Sequence, residues 1–407
     1  MQCGLLGQTL SHSYSPQIHR KLGSYDYQLF EIAPEALGDF VRSDSFQGIN
    51  VTIPYKKAVI PYCSTLSDRA KKLGAVNTIV RCQDGSLIGH NTDYYGFSAM
   101  LKRSGLNVSK KKVLVLGSGG ASATVVAVLT ELGAKPIVVS RTGENNYDNL
   151  HKHTDTAVIV NATPVGMYPN TDKSPIDLQQ FPNLEGVLDL IYNPAHTMLL
   201  QQAENMGLVT ENGLWMLVSQ AKESAEWFTQ TPINDDLIIQ IHKELRAQME
   251  NIVLIGMPGS GKSTIGRALA EELGKTFVDA DEEIIKEAGI TIPEIFATQG
   301  ESGFRKIETT VLERLGKQSG LVIATGGGCV TIPENYRHLH QNSTIIWLQR
   351  DISKLPTEGR PLSQASKLID MYATRMPLYE QFADITVSNE NRVAITVNDI
   401  IHSLSGG

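Results

Sequence analysis

An α/β fold in three successive parts is predicted for this chain of 407 residues. Three observations carry the prediction. From Lys112 onward, short apolar strand-like runs alternate with helix-like runs, which implies a parallel, doubly wound sheet. A second α/β series begins at Asn251, where the apolar NIVLI passes through GMPGSGKS into the helix-like TIGRALAEEL. Before Lys112, short β-like runs such as INVTI mix with helices, so a separate α/β part comes first. The expected boundaries are 1–102 for the first part, 103–212 for the second and 250–407 for the third. The helix-rich stretch 213–248 has the composition to pack back on the first part.

Composition narrows the function classes. The hydrophobic share of 41% and charged share of 19% fit an ordinary globular protein with ample core. A formal net charge of -7 argues against a general nucleic-acid or membrane-surface role. Cys3, Cys63, Cys82 and Cys329 are scattered without CxxC or metal-ligand spacing, so free thiols in a reducing compartment are expected. The N-terminal MQCGLLGQTLSHS does not read as a signal peptide, and runs such as VVAVL are too short to span a bilayer. The cytoplasm is the expected location. No tandem repeat and no Gly/Ser- or Pro-rich linker interrupts the chain.

In the middle part, KVLVLGSGG reads as a buried strand and tight turn, ASATVVAVLTELG as a helix and KPIVVSR as the next strand. DTAVIVNATP and GVLDLIYNP are two further strand-and-loop units. Gly117, Gly119 and the small Ser122 match a relaxed GxGxxG turn, weak evidence alone but stronger inside a βαβ unit. The following strand ends in Ser140-Arg141-Thr142, where a site for NAD usually has an acidic residue. The planar guanidinium of Arg141 suits a ribose 2′-phosphate, so NADP(H) is expected over NAD(H). Taken alone, Arg141 also reads as an ordinary surface charge.

Gly256–Ser263 lies between a strand and a helix, the setting a phosphate-binding P-loop needs. Its glycines let backbone N–H groups face phosphate oxygens. Lys262 can reach the β- and γ-phosphates, and Ser263 can offer its hydroxyl to Mg²⁺.

Ordered motifs then identify the first two parts. SHSYSPQIH, NVTIPYK, GAVNTI, NTDYYGF, GSGGAS, SRT, NATPVGM and GLWMLVSQA resemble shikimate dehydrogenase, over about residues 1–248. The resemblance implies a Rossmann NADP-binding domain beside an α/β substrate domain. It implies that Ser13 and Ser15 hold the substrate carboxylate, and that Thr52, Asn77, Asp93, Tyr192 and Gln220 surround the ring hydroxyls. Lys56 and Asp93 form the implied catalytic pair. The implied cofactor residues are Gly117, Ser118, Gly119, Gly120, Ala121, Ser140, Arg141, Thr142, Leu190 and Gly213. The chemistry agrees: hydride reduction of a ring ketone leaves an alkoxide, and a lysine can both protonate it and stabilise its charge. Singly, NTD also reads as a helix cap and Lys56-Lys57 as a solvated surface.

Downstream of the P-loop, FVDADEEI, with Asp279 and Asp281 expected at a strand end, GESGFRKIE, ATGGGCV, GRPL and YATRMPLYEQFAD resemble shikimate kinase, over about residues 251–390. A nucleoside-monophosphate-kinase-like fold is implied. Arg305 and Arg375 then clamp the shikimate carboxylate, Gly327 and Gly328 bring backbone against the ring, and Asp281 binds the acceptor hydroxyls and aligns the attacking one. Gly259, Ser260, Gly261, Lys262, Ser263 and Thr264 hold ATP, Ser263 and Asp279 serve Mg²⁺, and Arg360 belongs to a lid. Glu308 is expected as the ion-pair partner of an arginine. The segment from Leu348 to Arg375 is short beside typical members, so a trimmed lid is expected.

Together these readings imply a bifunctional enzyme that makes shikimate with NADPH and phosphorylates it with MgATP, acting on small molecules and neither nucleic acid nor membrane. Two alternatives stay open: a broader quinate/shikimate dehydrogenase fused to the same kinase, and a ligand-binding regulator built from decayed enzyme domains.

Overall fold

The structure, a computed structural model, describes residues 1–10, 13–355 and 365–405, without the side chains of 365–367 and 405. Its backbone forms two compact units: Met1–Tyr192 with Leu199–Leu245, and Asn193–Met198 with Arg246–Gly407.

The first unit opens with β1 (Gln2–Gly7), α1 (Ser15–Leu22), β2 (Asp26–Glu31), α2 (Leu37–Arg42) and β3 (Gly48–Val51). Next come β4 (Thr65–Leu66), α3 (Asp68–Leu73), β5 (Thr78–Arg81), β6 (Leu87–His90) and α4 (Asp93–Ser104). The strands form a six-stranded sheet in the order β2-β1-β3-β5-β6-β4. It is mixed: β3 and β6 pair antiparallel with β5, and the other neighbours are parallel. Leu6, Ile49 and Ile79 are each 0% exposed beneath it. Burying such a side chain stabilises the fold by about 1.5–3 kcal/mol.

The chain continues through β7 (Lys112–Leu116), α5 (Gly120–Glu131), β8 (Lys135–Val139), β9 (Val158–Asn161) and β10 (Gly186–Asp189). After α6 (Met198–Asn205), β11 (Val209–Asn212) completes a five-stranded parallel sheet in the order β11-β10-β9-β7-β8. Val113, Leu114, Val115 and Leu116 are all 0% exposed, as a parallel strand covered on both faces requires. The chain steps outward from β7 to β8 and then returns to the other side of β7 as β9. That reversal opens a crevice at the carboxyl ends of β7 and β9.

Helix α7 (Leu214–Thr229) returns to pack on α4. Gly96 makes the close approach possible, because a Cβ there would lie 2.7 Å from the Met216 carbonyl oxygen. The next helix, α8, spans Asp236–Met249.

The second unit contains β12 (Asn251–Ile255), α9 (Lys262–Leu273), β13 (Thr276–Asp279), α10 (Ala280–Ala288), α11 (Ile292–Gly316) and β14 (Leu321–Ala324). It ends with α12 (Glu334–His340), β15 (Ser343–Gln349), α13 (Ala365–Phe382), β16 (Ile385–Ser388) and α14 (Val393–Ser405). Its five-stranded sheet is parallel, ordered β13-β14-β12-β15-β16, with the wholly buried NIVLI strand at the centre. A capping box between Thr291 and Glu294 starts α11, and Gly300 at φ 67° kinks it before Arg305. No helix among the described residues is long and apolar enough to cross a membrane.

Candidate active sites

The first candidate site forms where β3, β5 and the start of α4 meet. Lys56 follows β3, and Asp93 is the first residue of α4. The Lys56 Nζ and Asp93 Oδ2 lie 2.5 Å apart, with side-chain exposures of 26% and 14%. Both ends of this pair therefore remain reachable from solvent. Asn77 is held behind them: its Oδ1 accepts from the Thr92 backbone N–H at 2.7 Å, and its Nδ2 donates to Thr92 Oγ1 at 3.1 Å. Thr92 Oγ1 also lies 3.4 Å from Gln220 Oε1, which joins the α7 residue to the same set. Thr52 is half-buried, and its backbone N–H donates to the Leu6 carbonyl at 2.9 Å.

Ser13 and Ser15 sit at the entrance to α1, where Ser13 Oγ accepts from the Ser15 backbone N–H at 3.2 Å. Tyr192 packs edge-on against Tyr14 with ring centroids 6.2 Å apart, and burial raises its phenol pKa. Sequence reading missed the polar floor of this site. Asn50, Thr78, Thr92 and Ser224 are each at most 6% exposed, and their side chains hydrogen-bond one another between β3, β5, α4 and α7. The signal was partial: Asn50, Thr78 and Thr92 lie inside the quoted motifs, whereas nothing in the sequence aims Ser224 at them. Glu223 was missed as well. Burial pushes its carboxyl up to about 7, against the pull of Arg69.

In the same unit, the turn after β7 faces the sheet crevice. Gly117 has φ 103°, and a Cβ there would meet the Thr163 methyl at 2.9 Å and the Ala162 carbonyl at 3.2 Å. Gly119 and Gly120 are different: a Cβ at either meets nothing within 4 Å. Ser118 is exposed beside them and Ala121 is half-buried, so the N-terminus of α5 opens outward. No acidic residue occupies the first turn of α5. Its N–H groups and positive dipole end suit an anion.

Ser140 follows β8 and binds the Asn145 carbonyl through its N–H at 3.1 Å, while Arg141 and Thr142 are exposed. Arg141 forms no ion pair among the described residues. Leu190 and Gly213 are brought together: a Cβ on Gly213 would lie 2.0 Å from the Leu190 carbonyl oxygen. Beneath them Asn161 Nδ2 donates to the fully buried Asp189 at 3.0 Å. The residues present therefore fit a dinucleotide with an added phosphate: glycines leave room, a helix end offers donors, and an arginine replaces the acid.

The second unit carries the other candidate site. Gly256, Gly259 and Gly261 have φ 140°, 86° and 95°, a left-handed path that side chains resist. Lys262, only 8% exposed, folds back to donate to the Gly256 and Met257 carbonyls at 2.9 and 3.0 Å. Asn389 at the end of β16 fixes the loop by donating to the Ser260 carbonyl at 2.7 Å. Ser260 is fully buried, and Thr264 is exposed on α9. Beside the loop is a cavity of about 210 Å³, lined in part by Gly261, Thr264, Arg350, Lys354 and Asn389.

Ser263 Oγ donates to Asp279 Oδ2 at 2.7 Å, while Asp279 Oδ1 caps α10 by accepting from the Asp281 N–H at 3.0 Å. Asp281 therefore belongs to the first turn of α10 rather than to the strand end. Its Oδ1 and Glu308 Oε1 both approach Gly326, where an added Cβ would meet them at 3.0 and 2.9 Å. Arg305 bonds Glu308 at 2.6 Å and lies against Gly328, where a Cβ would come 2.1 Å from Nη2. Burial pushes the Glu308 carboxyl above the usual carboxylate range, Arg305 pulls it back, and Asp281 adds to the rise. Arg375 on α13 donates to the Gly327 carbonyl at 3.2 Å, which also accepts from Tyr379. Asp281, Arg305, Arg375 and the Gly326–Gly328 turn thus share one corner of the unit. Tyr379 and Asn389 were not singled out from sequence, because each acts on backbone remote in the chain. Arg360 lies outside the described residues.

Comparison with known proteins follows the same division. A shikimate dehydrogenase (NADP(+)) of Clostridium beijerinckii is 37% identical over 256 residues, covering 58% of this chain and 94% of that protein. The chain belongs to the shikimate dehydrogenase family. The family model for the shikimate dehydrogenase substrate binding domain matches residues 5–79, and that for shikimate kinase matches residues 258–405. A chorismate mutase/shikimate 5-dehydrogenase fusion protein from Clostridium acetobutylicum superposes with a TM-score of 0.57 at 36% identity, over 60% of this chain and 96% of that one. The shikimate 5-dehydrogenase of Thermus thermophilus, solved with NADP(H) and shikimate, superposes with a TM-score of 0.56 at 29% identity, over 60% and 99%. Shikimate dehydrogenase motifs and a shikimate kinase domain thus stand in one polypeptide.

Proposed function

We propose that the chain catalyses two consecutive reactions on one small ring acid. The first unit reduces 3-dehydroshikimate to shikimate with NADPH, and the second phosphorylates shikimate to shikimate 3-phosphate with ATP. The observation that carries the reading is the pairing of Lys56 with Asp93 above a buried amide and hydroxyl floor in one unit, with Arg305, Arg375 and Asp281 gathered at one corner of the P-loop unit. The reductive direction follows from the product the second unit needs. The four free cysteines suit the reducing cytoplasm.

In the reduction, Lys56 donates the proton to the carbonyl oxygen and stabilises the charge that develops there. Asp93 holds the ammonium in place and accepts from a ring hydroxyl. Asn77, Thr52 and Gln220 orient the remaining hydroxyls, and Ser13 and Ser15 donate to the carboxylate. Bound NADPH supplies the hydride; Gly117–Ala121, Ser140–Thr142, Leu190 and Gly213 would hold it. In the phosphoryl transfer, Arg305 and Arg375 fix the carboxylate, and Asp281 aligns the acceptor hydroxyl. Lys262 neutralises phosphate charge, which is most of what such a transfer needs from protein. The hydroxyl of Ser263 and the carboxylate of Asp279 suit Mg²⁺, whose charge would further shield the phosphates.

Steady-state assays of the purified chain test the function. Shikimate with NADP⁺ is expected to give a kcat/KM at least about ten-fold above quinate with NAD⁺, a difference of about 1.4 kcal/mol. ADP release from ATP is expected to require shikimate. A higher value for quinate would transfer the first unit to the broader dehydrogenase, and binding without either turnover would favour the decayed regulator. Replacing Arg141 with Ala is expected to raise KM for NADP⁺ about 10- to 100-fold while leaving that for NAD⁺ nearly unchanged, the loss of one or two charge-assisted hydrogen bonds.

A further inference from the structure

We infer that Tyr27 and Ser224 are positioning residues for the reduction, linked by a buried polar chain that ties the two ends of the substrate site together. The inference rests on reading that site as one for a hydroxylated ring carboxylate. The chain starts at Tyr27, whose ring stacks on His19 of α1, the helix opened by Ser13 and Ser15, which are expected at the carboxylate. Tyr27 donates to Asn50 Oδ1 at 2.8 Å. Asn50 Nδ2 donates to Ser224 Oγ at 2.8 Å and to Thr78 Oγ1 at 3.1 Å. Ser224 Oγ donates to the Gln220 carbonyl at 2.8 Å and lies 3.1 Å from Thr92 Oγ1. Thr92 in turn holds Asn77 and Gln220, expected at the ring hydroxyls.

Tyr27 is 8% exposed and Ser224 is 0% exposed. Both lie below the substrate residues and act through them. The His19 ring stacks on Tyr27 with centroids 4.0 Å apart and planes 9° from parallel, and His19 Nδ1 lies 2.6 Å from the Tyr25 hydroxyl. The phenol is thereby clamped on its face as well as at its oxygen. A hydrogen-bonded chain of this kind fixes the separation between two ligand-binding ends that belong to different elements: α1 on one side, α4 and α7 on the other. A ring acid of one size then meets both ends at once, and a ligand lacking the carboxylate charge uses only one.

The test uses the full chain with Tyr27→Phe and Ser224→Ala, assayed with shikimate, shikimate methyl ester and NADP⁺. Wild-type turnover of shikimate first establishes the reading of the site; its absence would remove that reading and this inference with it. Tyr27→Phe is expected to raise KM for shikimate about ten-fold, the cost of one lost hydrogen bond. It should also narrow the preference for acid over ester. Ser224→Ala is expected to raise KM for acid and ester alike and so preserve the preference. In both variants KM for NADP⁺ should stay within about two-fold of wild type, which is the folding control for the unit that carries both changes, and shikimate phosphorylation by the same chain should be retained. An unchanged KM for shikimate overturns the inference. So does an equal change in KM for shikimate and NADP⁺, or an acid-to-ester preference that Tyr27→Phe leaves intact.

Discussion

Lys262→Met is expected to lower the kcat of shikimate phosphorylation by about 10³-fold or more, with shikimate oxidation within about two-fold of wild type. Methionine keeps most of the buried volume, so the loss reports charge and not a cavity. The expectation follows from geometry. Lys262 is pinned by the Gly256 and Met257 carbonyls at 2.9 and 3.0 Å, so its ammonium is placed before any phosphate arrives. Preorganised charge is worth most where it needs no rearrangement during reaction. ADP release and NADPH absorbance, followed on the same preparation, separate the two activities. Loss of both in a folded protein would disprove the independence of the two units.

The converse substitution, Lys56→Met, is expected to lower kcat for dehydrogenation by about 10²–10⁴-fold, the usual contribution of a positioned acid–base group. Phosphorylation of shikimate should persist. Losing Lys56 also strands the carboxylate of Asp93, which is 14% exposed. The variant is therefore expected to bind shikimate less well, because the Lys56 donor is gone and Asp93 loses the partner that holds it in place. Asp93→Asn removes the charge but keeps the shape, and it should retain more binding while remaining slow. Tight binding and full turnover in Lys56→Met would sink the catalytic assignment.

Much of the architecture could be read along the chain because local constraints and tertiary needs agreed. VLVL at 113–116 and IVLI at 252–255 are uniformly apolar because each lies inside a parallel sheet covered on both faces. The P-loop glycines announce their φ angles, and the ordered motifs announce the residues around them. The limits of the reading are equally physical. Ser224 reaches Asn50 across 174 positions of sequence. That contact exists only because Gly96 lets α7 settle on α4, and a glycine inside NTDYYGF does not by itself announce a helix crossing. Asn389 secures the Ser260 carbonyl from 129 positions away, and Tyr379 grips Gly327 from 52 away. Each is a side chain serving a distant backbone group, a relation that periodicity does not encode. The place of Asp281 was missed by a narrow margin, since a cap by Asp279 turns the strand end into a helix start within two residues.

The glycines after β7 divide by what would keep them. At Gly117 a side chain would strike Thr163 and Ala162, and at Gly213 it would strike Leu190, so the fold itself forbids change there. Gly119 and Gly120 face open space, and the folded chain has no objection to alanine at either. Gly117 and Gly213 thus serve the protein's own packing, while Gly119 and Gly120 leave their space to the crevice.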